Sequence, residues 1–183
     1  MPLLAVVSRL VAQKVDLLAQ GLPELLGMHM QLAILGTGDD MYSGFFHHHA
    51  HLHPEKMAVR LTFDEGLARK FYAGADLFIM PSSFEPCGLS QMLAMRYAAI
   101  PIVRETGGLK DTVQHYDPAT GQGNGFAFKD LHPQAMLDAT SEALNCYADA
   151  QVWSTIVKNA LQSDFSWRES ARKYVSLYKD LLK

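Results

Sequence analysis

Residues 77–91 read Leu77-Phe78-Ile79-Met80-Pro81-Ser82-Ser83-Phe84-Glu85-Pro86-Cys87-Gly88-Leu89-Ser90-Gln91. Four apolar residues in a row, without alternation, make a short strand buried on both faces. Pro81 and Pro86 cannot donate to a ladder, so they mark a loop. Gly88-Leu89-Ser90 then opens a helix predicted over 89–97. The order strand, loop, helix is one βα unit of a parallel sheet.

The same grammar repeats outward in both directions. Apolar runs rich in β-branched and large aliphatic residues occur at Leu3–Val7, Met30–Leu35, Met57–Phe63, Ile100–Val103 and Phe126–Phe128. Helix-length amphipathic stretches lie between them, near 16–26, 40–52, 65–74 and 108–115. Six such runs predict an α/β, Rossmann-like three-layer domain, with a mostly parallel six-stranded sheet flanked by helices. From Pro133 onward only helical spacing remains, which makes a helical C-terminal tail. Ser166 and Glu169 have capping-box spacing, so the last helix starts at Trp167. Trp167, Ala171, Tyr174, Val175, Tyr178, Leu181 and Leu182 share one face of it. That face packs either on its own domain or partly on something outside this chain.

Composition narrows the function classes. The chain has 183 residues, 49% hydrophobic and 19% charged, with a net charge of −3. That is enough apolar material for one α/β domain and argues against disorder. No basic excess points to nucleic acid or an anionic membrane. No apolar run is long enough to span a bilayer. Two cysteines, Cys87 and Cys146, form no CxxC pair and no disulfide framework. They suit a reducing cytosol, so the expected location is cytoplasmic.

In open α/β sheets ligands bind at the carboxyl ends of the strands, so chemistry is expected in the loops there. The first loop, Ser8–Lys14, offers two cations, Arg9 and Lys14, suited to an anion with several oxygens. Gly36-Thr37-Gly38-Asp39 is either a turn with an Asp39 helix cap or a backbone approach to a ligand. The loop quoted above joins an acid, Glu85, to a glycine and a hydroxyl, Gly88 and Ser90, at a helix start that favours phosphate. Ser90 alternatively caps that helix. Arg104-Glu105-Thr106-Gly107-Gly108 is a plain turn or another close approach of backbone. Phe63, at the end of its run before a capping Asp64, is either core or a platform for a base. His47, His48, His49, His51 and His53 have metal-compatible spacing but no accompanying acid or cysteine, and read as a solvated helix face.

Phe84-Glu85-Pro86-Cys87-Gly88-Leu89-Ser90-Gln91, the downstream Thr106-Gly107-Gly108-Leu109-Lys110-Asp111-Thr112-Val113 and the opening Val7-Ser8-Arg9-Leu10 with Gln13-Lys14 resemble bacterial glycogen (starch) synthases. Tyr72-Ala73-Gly74-Ala75-Asp76 and Phe165-Ser166-Trp167 fit the same pattern. The resemblance runs over essentially the whole chain. It implies the C-terminal, nucleotide-sugar-binding domain of a two-domain GT-B glycosyltransferase over residues 1–183, without the N-terminal acceptor domain, and a last helix that crosses to that other domain.

The activity implied is retaining transfer of glucose from ADP-glucose to an α-1,4-glucan, with no metal and no cofactor. By position, Arg9 and Lys14 would hold the distal phosphate. Ser90 and the Leu89 backbone N–H would hold the same phosphate from the helix start. Glu85 would be the essential acid beside the glucose, Cys87 and Gly88 would line the sugar pocket, and Phe63 would face the adenine. Transfer from UDP-glucose or another donor, or a non-catalytic nucleotide-sugar-binding module, are the alternatives. The sequence departs from the pattern at three places. Lys14 runs directly into Val15-Asp16 where a glycine is usual, Ser83 stands where an arginine precedes the motif, and Glu105 stands where a second arginine is common. Leu93 occupies the place of the second acid of the wider family pattern.

Overall fold

The computed structural model describes residues 1–182. Its strands are β1 (Leu3–Val7), β2 (Gln31–Leu35), β3 (Met57–Arg60), β4 (Leu77–Met80), β5 (Ile100–Arg104) and β6 (Phe126–Phe128). They form one sheet in the order β3-β2-β1-β4-β5-β6, and every neighbouring pair is parallel. This is the doubly wound order, reversing direction between β1 and β4.

The helices are α1 (Ala12–Gln20), α2 (Leu22–Gly27), α3 (Asp40–Leu52), α4 (Glu65–Gly74), α5 (Ser90–Arg96), α6 (Gly107–Thr112), α7 (Pro133–Ala148), α8 (Ala150–Gln162) and α9 (Trp167–Leu181). On one face of the sheet, Leu4 and Val6 of β1 belong to a core with Leu17 and Leu18 of α1, Phe46 of α3 and Met136 of α7. On the other, Ala5 of β1 and Phe78 of β4 pack with Tyr72 of α4 and Ala94 of α5. The helix that follows β1 and the helix that follows β4 therefore lie on opposite faces. The strands themselves part: their register runs Leu4↔Leu77 and Ala5↔Phe78 and goes no further.

Several elements differ from the sequence expectation. The helix expected over 16–26 begins at Ala12 and is split at Gly21, ahead of a proline in the first turn of α2. Lys14 consequently sits in the first turn of α1 rather than in a loop. The third run ends at Arg60, not Phe63, because β3 is an edge strand with alternating burial and needs apolar residues on one face only. Ser90 does not cap α5: the N-cap is Leu89, with no side-chain bond. Asp39 stands at the start of α3 but makes no capping bond, whereas Asp64 accepts from the Leu67 N–H at 2.9 Å and Ser166 accepts from the Glu169 N–H at 3.4 Å. Helix α9 buries none of its residues, and Trp167 is 88% exposed, so the reading in which α9 packs on its own domain is corrected.

Both glycine loops at the carboxyl edge are packed against backbone. A Cβ on Gly36 would lie 1.8 Å from the Ser8 carbonyl oxygen, and one on Gly38 would lie 2.2 Å from that of Leu10. The Leu10 N–H donates to Thr37 O at 2.9 Å and the Asp39 N–H donates to Leu10 O at 2.8 Å, locking the loop after β2 onto the loop after β1. Gly44 lies inside α3, and a Cβ there meets nothing within 4 Å. Gly36→Ala is therefore expected to lower stability by about 3 kcal/mol through overpacking. Gly44→Ala is expected to raise it by about 1 kcal/mol through helix propensity. Urea denaturation midpoints check both signs.

Candidate functional site

The parting of β1 from β4 leaves a cavity of about 270 Å³ at the carboxyl edge. Its floor is Val6 and Val7 of β1 with Ile79 and Met80 of β4, the residues beyond the last register pair. Arg9, Lys14, Glu85, Gly88, Leu89 and Ser90 line it. Six of the eight site residues expected from sequence thus converge, although they come from segments more than seventy positions apart. A second cavity of about 210 Å³ adjoins it along Val7, Ser8 and Arg9, and Phe63 lines that one. Phe63 is 84% exposed, so it is not core. Cys87 lines neither cavity; its carbonyl accepts from Gln91 Nε2 at 3.3 Å and abuts Gly108.

Glu85 is held by its loop. Gln13, in the first turn of α1, accepts from the Ser83 N–H at 2.9 Å through its carbonyl and donates its side-chain amide to Phe84 O at 2.7 Å. Arg104, the last residue of β5, donates Nε to Ser82 O at 2.9 Å and a second guanidinium nitrogen to Ser83 O. From the other side, the Gly108 N–H reaches Glu85 O at 3.2 Å and Pro86 O at 3.1 Å. A Cβ on Gly107 would lie 2.1 Å from Glu85 O, and one on Gly108 would lie 2.0 Å from Cys87 O. The double glycine thus serves loop-to-loop packing.

The side chains complete the picture. Lys14 Nζ pairs with Glu85 Oε2, and Ser82 Oγ lies 3.5 Å from the same oxygen. A cation in a helix's first turn opposes the helix dipole, and Glu85 offsets it. Among the described residues Arg9 makes no ion pair and is exposed. Burial raises the Tyr72 hydroxyl of α4 above the usual tyrosine pKa, and the nearby Ser90 hydroxyl partly offsets that rise. Gln91 is fully buried and donates to Cys87 O, Gly88 O and Thr112 Oγ1, the last two at 3.0 Å.

Gln13, Arg104, Tyr72 and Gln91 were not singled out from sequence. Gln13, Tyr72 and Gln91 stand inside the quoted motifs but nothing local gave them a role, and Arg104 showed only as a lone cation at a strand end. The histidines lie elsewhere, on α3 and its C-cap. His47, His48 and His51 are exposed, while His49 packs against Phe45 and stacks with His53 at 6.4 Å. Burial, then the nearby His48 and His53, holds His49 below the usual histidine pKa. Among the described residues no three His, Cys, Asp or Glu side chains form a metal site, and no helix is long and apolar enough to cross a membrane.

A doubly wound sheet whose switch point holds an acid, two cations and a glycine-opened helix defines a Rossmann-like domain of the GT-B kind. The family described as glycosyl transferases group 1 matches residues 1–146, and the chain belongs to it. It is homologous to glycogen synthases: 48% identical over 182 residues to that of Desulforamulus reducens, covering 99% of this chain and 38% of the relative. The glycogen synthase of Geobacillus thermodenitrificans is 49% identical over 183 residues, again covering 38% of its length. Among solved structures, the catalytic domain of starch synthase IV from Arabidopsis thaliana bound to ADP and acarbose superposes with a TM-score of 0.87 at 38% identity. That match covers 98% of this chain and 38% of the plant chain. The chain therefore spans about two fifths of the relatives it matches.

Arg104 supports the acid loop solely through carbonyls. Arg104→Met leaves the Ser82 and Ser83 carbonyls without this donor and is expected to cost about 2 kcal/mol of stability. Hydrogen exchange would show faster exchange confined to the segment around residues 82–88. An unchanged exchange pattern would mean that the loop is held without it.

Proposed function

We propose that this chain is the C-terminal, donor-binding domain of a retaining glucosyltransferase that elongates an α-1,4-glucan from ADP-glucose in the cytoplasm. The observation that carries the reading is the convergence of Glu85, Arg9, Lys14 and the start of α5 on one cavity at the strand switch point. The adjoining cavity beside Phe63 gives a nucleoside base a place next to those cations. The plant relative's ADP and acarbose, a nucleotide and a glucan-like sugar, support the same donor and acceptor classes here.

The chemistry follows from charge. Breaking a glucosyl–phosphate bond leaves a negative diphosphate and a sugar with oxocarbenium character. Arg9 and Lys14 stabilise the diphosphate as its charge develops, and the free N–H groups at the start of α5 add donors. Glu85 stabilises the positive sugar or holds its hydroxyls. Leu93, where a second acid would stand, is an exposed aliphatic on α5, so no pair of carboxylates of the glycosidase kind is available in this motif. The reading is retention, with the leaving phosphate taking the proton of the acceptor hydroxyl on the same face.

Helix α9 supports the domain assignment. Trp167, Tyr174, Tyr178 and Leu181 are exposed along it, and the exposed Leu93, Leu161 and Phe165 line a cavity of about 690 Å³ between α5 and the α8–α9 link. So much unpartnered apolar surface marks an interface. We assign it to the acceptor half of the longer protein, so this chain alone should transfer no glucose.

In the longer protein, Glu85→Ala is expected to lower kcat by about a thousandfold or more, the scale of losing a main transition-state group. Wild-type kcat in that variant would overturn the assignment of Glu85. Parallel turnover of ADP-glucose and UDP-glucose decides the donor, with ADP-glucose expected to give the higher kcat/KM.

A further inference from the structure

We propose that Glu85 and the distal phosphate of a bound nucleoside diphosphate are alternative partners of Lys14, so that the acid is released into the cavity only when a phosphate takes its place. This rests on reading the cavity as a donor site.

Lys14 and Glu85 are paired with side chains only 14% and 13% exposed. A pair so shielded from water is screened little by salt, and neither charge is easily left alone. Arg9, on the rim, is exposed and free of any carboxylate among the described residues. The cavity therefore presents one available cation, one neutralised cation and one occupied acid. A diphosphate brings several acceptor oxygens and more than one negative charge. It meets Arg9 at once, but it must take Lys14 from Glu85, and the carboxylate repels it until that exchange occurs.

The backbone makes a side-chain exchange sufficient. Gln13 fixes the first turn of α1 to Ser83 and Phe84, and Arg104 with Gly108 fixes the acid loop from the other side. Neither main chain has to move for Lys14 to turn from a carboxylate to a phosphate. The exchange also couples two events. Arrival of the donor frees Glu85 for the sugar, and departure of the diphosphate returns it to Lys14. An acid that merely lined the sugar pocket would repel a diphosphate to the same extent whether or not Lys14 were present.

Titration calorimetry of this chain with ADP, and separately with inorganic pyrophosphate, tests the exchange. Glu85→Gln keeps the shape and removes the charge, and is expected to tighten both probes about tenfold. Glu85→Ala serves as a second variant with the same expectation. Lys14→Met is expected to weaken both probes, and Glu85→Gln should give a smaller gain on the Lys14→Met background, where only the carboxylate's repulsion is removed. If Lys14→Met weakens binding but Glu85→Gln leaves it unchanged or weaker, the exchange is overturned and the donor-site reading stands. If Lys14→Met has no effect, or no variant binds either probe, the donor-site reading fails and the exchange with it.

Discussion

After Ala5 and Phe78 the two central strands, β1 and β4, stop pairing, and the rest of the carboxyl edge is organised around that gap. Helix α1 leaves to one face and α5 to the other, so no single helix can cover the opening. Four apolar residues floor it, and everything polar arrives from the segments that follow β1 and β4, their loops and the first turns of α1 and α5. A crevice of this kind would be filled by side chains if the loops were free to collapse into it. They are held up by contacts between main chains: the loop after β2 against the loop after β1, and the start of α6 against the loop after β4. Across the gap itself, Gln13 and Lys14 reach over to Ser83, Phe84 and Glu85.

The strands were the legible part of the sequence, for a physical reason. A strand buried on both faces must be apolar at every position, and Leu77–Met80 and Leu3–Val7 are. The signal fails where burial is one-sided. The run ending at Phe63 continues past β3 because its outer residues face solvent, and Phe63 is an exposed aromatic beside a cavity rather than the end of a strand. Helix starts were also hard to read. Val11, which carries no capping group, precedes α1, so nothing in the local sequence announces a helix at Ala12.

Within the site, the residues that carry charge were visible because acids and cations at strand ends are unusual. Those that position them were not. Gln13 is an ordinary glutamine until the fold sets its carbonyl against Ser83, and Gln91 is an ordinary helix residue until Gly88 and Thr112 surround it. The glycines show the same limit from the other side. A glycine announces that something comes close, and sequence does not say what. At 36, 38, 107 and 108 it is a neighbouring loop's carbonyl.

That last feature bears on how such a domain changes over time. Because the loop carrying Glu85 is positioned by carbonyls lying against glycines, and not by the side chains it displays, its outward residues answer to chemistry alone. Phe84, Cys87 and Leu89 are exposed and bear little of the structural burden. Replacing them changes the surface around the crevice, and at Leu89 its lining, while the scaffold stays folded. The four glycines, by contrast, admit almost no substitute. The fold thus separates a small backbone contact that tolerates little change from a surface that can be rewritten without disturbing it.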